Sequence, residues 1–294
     1  MPDHPGALFL CPQCRSPLPA IPPCSCGFVL RESKGILNLM TDEEAASAAP
    51  FIEAYEVVRS DEQWGGDDLD LPFHPKRHRE IWDIRQRTFR CLASVVRNIQ
   101  RGVALDVGAG SCWLTRHLDA WGFDSIAIDF NDSAGDGLRA GQKFIDEGAK
   151  FLRVRSGMES LPIVSSRTTL LVTSAAFHYA TDFRGTLSEF DRVLAPGGTI
   201  VIMDTPVYEN DADGKHMIAT REEEFRRKYG IPGPFARRAR YLVRRDFEST
   251  VDSLHLRLSA HPVWPGLRRT YESFRARLRG QRIAEFPVLV IEKR

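Results

Sequence analysis

From residue 101 onward, short unbroken apolar runs alternate with longer stretches whose apolar residues recur every three or four positions. The runs at 103–107, 125–129, 151–154, 170–174 and 199–204 have the length and branched side chains of buried strands. Between them, 114–121, 134–147 and 186–194 carry helical spacing, and Pro196-Gly197-Gly198 ends the last of these. Two further strands are predicted at 253–259 and 286–291, with a helix over 267–278 between them. This alternation predicts an α/β fold: a parallel sheet covered by helices on both faces.

Upstream the pattern changes twice. Thr41-Asp42-Glu43-Glu44 is a helix start, with an N-cap and an acidic first turn. After an irregular stretch around Gln63-Trp64-Gly65-Gly66-Asp67-Asp68, residues 80–100 read as a helix, with Ile81, Ile84, Phe89, Leu92, Val95 and Val96 on its apolar side. Residues 1–40 are proline-rich and too few to bury a core of their own. The expected organisation is a small module at 1–40, a helical cap or linker at 41–100, and the main domain at 101–294.

Composition sharpens this picture at the cysteines. Four of the six, Cys11, Cys14, Cys24 and Cys26, fall in one loop-rich segment, while Cys91 and Cys112 stand alone. The opening residues lack a basic region followed by a long apolar run. No apolar stretch approaches the roughly 18–20 residues of a membrane helix. A cytoplasmic location with no membrane partner is therefore expected, and in that compartment clustered thiols point to metal rather than to disulfides. The first pair, Cys-x2-Cys, has the spacing of a zinc knuckle; the second is the tighter Cys-x-Cys. Four thiolates suit tetrahedral Zn²⁺ and leave no open coordination position, so a structural role is expected, with degenerate ligands or redox chemistry as the alternatives.

The charge is uneven. Residues 1–214 hold 21 basic and 30 acidic residues, and residues 215–294 hold 19 and 9. Such asymmetry can mark a surface for nucleic acid or another anion. The simpler reading is a solvated helical face, or a basic segment packed against the acidic part. Arg226-Arg227-Lys228 and Arg237-Arg238 are the densest clusters.

The most informative chemistry sits at Leu105-Asp106-Val107-Gly108-Ala109-Gly110-Ser111-Cys112, between a strand and a helix. Glycines there allow a sharp turn and close approach by a ligand, and the helix start presents unpaired N–H groups. The dinucleotide fingerprint needs a third glycine where Trp113 stands. Asp129 ends the next strand, about 20 residues on, where a carboxylate can accept hydrogen bonds from a ribose diol. Asp106 separates the two nucleosides that carry one. It would repel a pyrophosphate, but suits the cationic amino-acid end of S-adenosylmethionine (SAM). A nicotinamide-dependent oxidoreductase is disfavoured on that ground.

On these residues the chain resembles the class I SAM-dependent methyltransferases, in the broad type-11-like group. Asp106-Val107-Gly108-Ala109-Gly110 is similar to their SAM loop and Ile128-Asp129-Phe130 to their ribose-binding motif. Glu159-Ser160-Leu161-Pro162 resembles the segment that follows the adenine site, and Leu194–Ile202 the turn and strand that close the half-sheet. Three positions depart from the pattern: Gly157 replaces an adenine-binding Asp, Cys112 replaces the last loop glycine, and Thr168 or Thr169 replaces a strand-start Asp. The resemblance implies a Rossmann-like sheet and a SAM site made of Asp106, Gly108, Ala109, Gly110, Asp129, Phe130, Met158 and Ser174, with Phe130 and Met158 near the adenine.

The acceptor should lie past the end of the fourth strand. There His178 could act as base or merely fix the loop, and Tyr179 could line the pocket or simply pack. Asp204 and Tyr208 follow the fifth strand, and the cap offers Tyr55, Arg59, Trp64, Trp82 and Arg85. A small-molecule acceptor is the first expectation. The 1–40 segment also resembles the zinc module of bacterial rRNA guanine-N1 methyltransferases, which makes rRNA or tRNA the alternative acceptor. A non-catalytic SAM-binding or zinc-ribbon interaction protein is the remaining one.

Overall fold

The computed structural model describes residues 8–19, 23–64, 69–230, 241–278, 280 and 282–293. Arg237, Arg238 and the segment 65–68 lie outside them. A short hairpin comes first, β1 (Arg31–Ser33) and β2 (Ile36–Asn38), followed by helices α1 (Asp42–Asp61) and α2 (Arg79–Val96). The alternating part follows: β3 (Val103–Val107), α3 (Trp113–Ala120), β4 (Asp124–Asp129), α4 (Gln142–Asp146), β5 (Leu152–Arg155), β6 (Thr168–Ser174), α5 (Phe183–Val193) and β7 (Leu194–Met203). The chain continues through β8 (Val207–Tyr208), α6 (Asp211–Tyr229), β9 (Leu242–Val243), α7 (Arg244–Ser253), β10 (Arg257–His261), α8 (Leu267–Leu278) and β11 (Val288–Glu292).

Nine strands form one sheet in the order β1-β2-β5-β4-β3-β6-β7-β11-β10. β5, β4, β3, β6 and β7 run parallel, and β11 is antiparallel to β7. The chain leaves β3 toward β4 and β5 on one side and returns to β6 and β7 on the other. The topological switch point, where open α/β sheets bind ligands, therefore lies between β3 and β6. This is the expected Rossmann-like architecture with a hairpin added at one edge. β2 joins parallel to β5, with Leu37 opposite Val154, so the hairpin within residues 1–40 extends the main sheet.

Strand alternation decides which face each residue serves. Leu105, Ile126, Leu171 and Ile200 point to one core, packed by Phe190 of α5 and Val251 of α7, and by Phe9 and Leu39 from the first forty residues. Ala104, Ala127, Leu170 and Val201 point to the other, under Phe89 and Leu92 of α2 and Leu114 and Leu118 of α3. Both faces are sealed, as continuous apolar strands require.

The cap residues behave as their chemistry predicts. Thr41 and Glu44 form a reciprocal capping box, with Thr41 Oγ1 accepting from the Glu44 N–H at 3.1 Å and Glu44 Oε2 from the Thr41 N–H at 2.7 Å. α2 buries Trp82, Phe89, Leu92 and Val96 along one side. Among the described residues, no helix is long and apolar enough to cross a membrane.

Three expectations need correction. The helix expected over 134–147 is helical only from Leu138, because Asn131 ties down the approach: its carbonyl accepts from the Leu138 N–H and its side chain from the Ser133 N–H. The strand expected at 253–259 begins at Arg257. Phe247 and Val251 anchor α7 through Ser253, and His255 then turns the chain at φ 58°. The Pro196-Gly197-Gly198 turn lies inside β7, where the pairing register with β6 shifts and Gly197 takes φ 72°. The spacing also gave no sign of α6, which buries only Gly214 and Phe225.

Candidate functional site

The glycine loop leaves β3 at the switch point and is closed by backbone bonds. The Gly108 and Ala109 N–H groups both donate to the Ile128 carbonyl. Gly108 sits at φ 76°, and a Cβ there would lie 2.2 Å from that of Ala176, so glycine is required both by conformation and by the close approach of the β6 end. Cys112 adopts the same left-handed region at φ 63° just before α3.

Asp129 closes the loop from β4. Its Oδ2 accepts from the Gly110 N–H and its Oδ1 from the Asn131 N–H, both at 2.8 Å. Burial raises its carboxyl to about 6, against the pull of those N–H groups. Asp106 is deeper. Thr115 Oγ1 donates to its Oδ2 at 2.6 Å, and burial raises its carboxyl to about 7. Its carboxylate is turned into the protein, behind the loop.

A cavity of about 280 Å³ opens in front of the loop. Of the residues expected at the site, Gly108, Ala109, Gly110, Asp129, Phe130, Met158, Ser174 and Tyr179 all line it. Asp106 and His178 do not. α1 roofs the cavity: Phe51 packs edge-on against Phe130 and Tyr179, at centroid distances of 5.7 and 5.5 Å. Arg59 of α1 pairs with Asp136 at 2.9 Å, and Tyr55 donates to the same carboxylate at 3.2 Å. Asp136 went unnoticed in the sequence, since it lies in an irregular segment and its partners are some 80 residues away. The Arg59 guanidinium also lies over the Tyr55 and Trp64 rings.

His178 faces a second cavity, of about 610 Å³, between the ends of β6 and β7, α2, α6 and the approach to β11. Arg59, Trp64, Arg85, Ala175 and Tyr179 line both cavities and separate them. Asp204 and Tyr208 also line the second. Asp204 holds φ 57° at the end of β7, where its carboxylate accepts from Thr88 of α2 and Ser174 of β6, each at 2.7 Å. It therefore ties α2 to two strand ends beside the second cavity.

The four cysteines converge. Sγ atoms of Cys11 and Cys26 are 3.6 Å apart, those of Cys14 and Cys24 are 3.5 Å apart, and all four lie within 4.8 Å of one another. Zn–S bonds of about 2.3 Å at tetrahedral angles set S–S edges of about 3.8 Å, so the set has the dimensions to hold that ion. Backbone N–H of Ser16 draws the Cys14 thiol down to about 6, while burial pushes Cys11 up to about 12. Between the knuckle cysteines and the adenine-side loop stands Arg15, at φ 60°. It donates to Ser160 Oγ and the Leu161 carbonyl at 3.0 Å and pairs with Glu189 of α5 at 3.1 Å.

Residues 105–202 match the type-11 family model described as "Methyltransferase domain". The sarcosine/dimethylglycine N-methyltransferase of Aphanothece halophytica is 29% identical over 155 residues, 51% of this chain and 55% of that enzyme. An uncharacterized methyltransferase of Alkaliphilus oremlandii is 22% identical over 55% of this chain and 73% of its own length. The chain thus matches only about half the length of the first of these relatives. Among solved structures, the Bacillus YcgJ protein superposes with a TM-score of 0.51 at 16% identity, covering 74% of this chain and 99% of that one. The CurJ carbon methyltransferase gives 0.50 at 16% identity, covering 72% and 55%. At these identities the structures speak to fold alone.

Proposed function

We propose that residues 105–202, which match the methyltransferase family model, form a class I SAM-dependent domain and that the protein transfers the sulfonium methyl of SAM to a small-molecule acceptor. The observation that carries this reading is Asp129, a carboxylate fixed by two backbone N–H groups at the mouth of a glycine loop and exposed to a nucleoside-sized cavity. In it, Asp129 accepts from the ribose hydroxyls. Gly108, Ala109 and Gly110 let the donor approach the backbone, Phe130 and Met158 flank the adenine, and Ser174 borders the methionine portion. Asp106 acts from behind the loop, through its field on the cationic amine.

The acceptor enters from the 610 Å³ cavity, past Tyr179 and His178. Its nucleophile attacks the methyl carbon in line. The new bond forms as the S–CH3 bond breaks, the electron pair stays on sulfur as S-adenosylhomocysteine, and the acceptor's proton leaves to water or to His178. Positioning supplies most of the rate, because the sulfonium is already an activated leaving group. The small-molecule class is supported by the Aphanothece relative, a sarcosine/dimethylglycine N-methyltransferase. It is also supported by the basic C-terminal part, which pairs with acidic residues far upstream: Lys228 with Asp61, and Arg268 with Glu80. Those pairs leave fewer cations for RNA. The cysteine set holds a structural zinc.

Calorimetry tests the donor site. Unaltered protein should bind S-adenosylhomocysteine, and Asp129→Asn should weaken it about tenfold or more, the loss of one to two charge-assisted hydrogen bonds at about 1.5–3 kcal/mol each. Equal affinity in the variant would refute the assignment. Transfer of labelled methyl from SAM to the small-molecule, RNA and protein fractions of a cell extract tests the acceptor class.

A further inference from the structure

We propose that Arg85 selects the acceptor by pairing with an oxyanion on it, a carboxylate or a phosphate, so that the substrate is a small anionic molecule. This rests on the methyl-transfer reading above. Arg85 is on α2, and its guanidinium lies over the faces of Trp82 and Trp64, with ring-centre distances of 4.7 and 5.5 Å. Among the described residues it has neither an ion-pair nor a hydrogen-bond partner for its guanidinium. Burial disfavours its charge, and the field of Asp204 is the largest influence in its favour.

Asp204 makes no direct bond to the guanidinium; its two oxygens accept from Thr88 and Ser174. The other acids around the second cavity are similarly engaged. Glu272 accepts from Arg268, and Asp213 from Asn210 and the Arg282 backbone. A second cation there, Arg269, is held to the Ala284 carbonyl and lies over Phe286. The cavity therefore presents a net positive wall with an unpaired, desolvated guanidinium at the partition with the donor cavity.

An enclosed cation with no partner is costly unless something neutralises it. A planar fork of donors resting against two indole rings on one side offers its free edge to an oxyanion. The position decides which anion. Lys76 and Arg77 line the donor cavity and not the second, which leaves them to the donor's own carboxylate. Arg85 is shared by both cavities and faces the acceptor path. An acceptor anchored there by its anion would hold its nucleophile near Tyr179 and Ser174.

The test uses the full-length protein, labelled SAM and the small-molecule pool of a cell extract. One portion of the pool is left intact, one has its carboxylates converted to amides with carbodiimide and excess ammonium, and one is treated with alkaline phosphatase. Label should enter the intact pool and fall at least tenfold in one treated portion, which names the anion. Arg85→Gln should cut transfer into the intact pool at least tenfold, with the Kd for S-adenosylhomocysteine within twofold of the unaltered protein, and Arg85→Lys should recover part of the rate. The proposal is overturned if both treated portions still accept label fully, or if the intact pool accepts none while S-adenosylhomocysteine binds. It is equally overturned if Arg85→Gln weakens S-adenosylhomocysteine as much as it weakens transfer, since Arg85 would then serve the donor. Failure of the unaltered protein to bind S-adenosylhomocysteine would instead overturn the methyl-transfer reading itself.

Discussion

Single atoms decide the donor site. At Gly108 an added methyl would meet the Ala176 Cβ at 2.2 Å in a left-handed backbone. Gly108→Ala should therefore cost about 1–3 kcal/mol and lower the Tm by roughly 3–10 °C, with loss of S-adenosylhomocysteine binding, as read by thermal melts with and without the ligand. The two buried acids set opposing pH trends. Asp129 at about 6 and Asp106 at about 7 both lie above the ordinary 3.8, so between those limits the folded protein binds more protons than the unfolded chain. Stability without ligand should fall as pH rises from about 4 to 7. Ligand binding needs the Asp129 carboxylate, so it should strengthen over the upper part of the same range. Melting temperatures at pH 5 and pH 8, with and without S-adenosylhomocysteine, check both signs: the ligand-induced increment should grow while the ligand-free value drops.

Elements matter through how they are fastened to one another. Arg15 joins the cysteine loop to the Ser160–Leu161 segment, which follows directly on Met158 at the cavity wall. Arg15→Ala should leave the thiol count and any bound zinc unchanged, yet weaken S-adenosylhomocysteine several-fold; calorimetry beside a metal assay reads the two separately. What was legible in the sequence follows the same division. β3, the glycine loop and Asp129 could be read because each is local: an apolar run, a turn and an acid at fixed spacing. The Cys11–Cys26 set was legible for the same reason. The roof was only partly so. Tyr55 and Arg59 stood out by residue type, but their tie to Asp136 depends on how α1 folds back over the sheet. Asp204 likewise gains its bonds to Thr88, 116 residues away, and to Ser174, 30 residues away, from strand-end geometry. Most of α6 was missed because its apolar residues are too sparse to make a stripe; only its basic end, Arg226-Arg227-Lys228, read as exposed helix, and the local signals for its start were Asn210, whose side chain accepts from the Asp213 N–H, and the acidic first turn.

Taken as a whole, the molecule places its two cavities against one partition that includes Arg59, Arg85 and Tyr179, and on the proposed reading donor and acceptor would meet there. Charge is distributed in keeping with this: some basic residues late in the chain pair with acids early in it, Lys228 with Asp61 and Arg268 with Glu80, while Arg85 stands at the partition. At the far end of the sheet, the β1–β2 hairpin pairs with β5, and its outer strand, Arg31-Glu32-Ser33, is exposed and polar. A row of unsatisfied peptide groups at a sheet margin is a template for another chain, and a polar, ion-bearing outermost strand discourages such stacking. Trimming the first forty residues would strip that guard from Leu152 and Val154. The shortened polypeptide should then self-associate, visible as early elution and light scattering on size-exclusion chromatography even where its helical content survives.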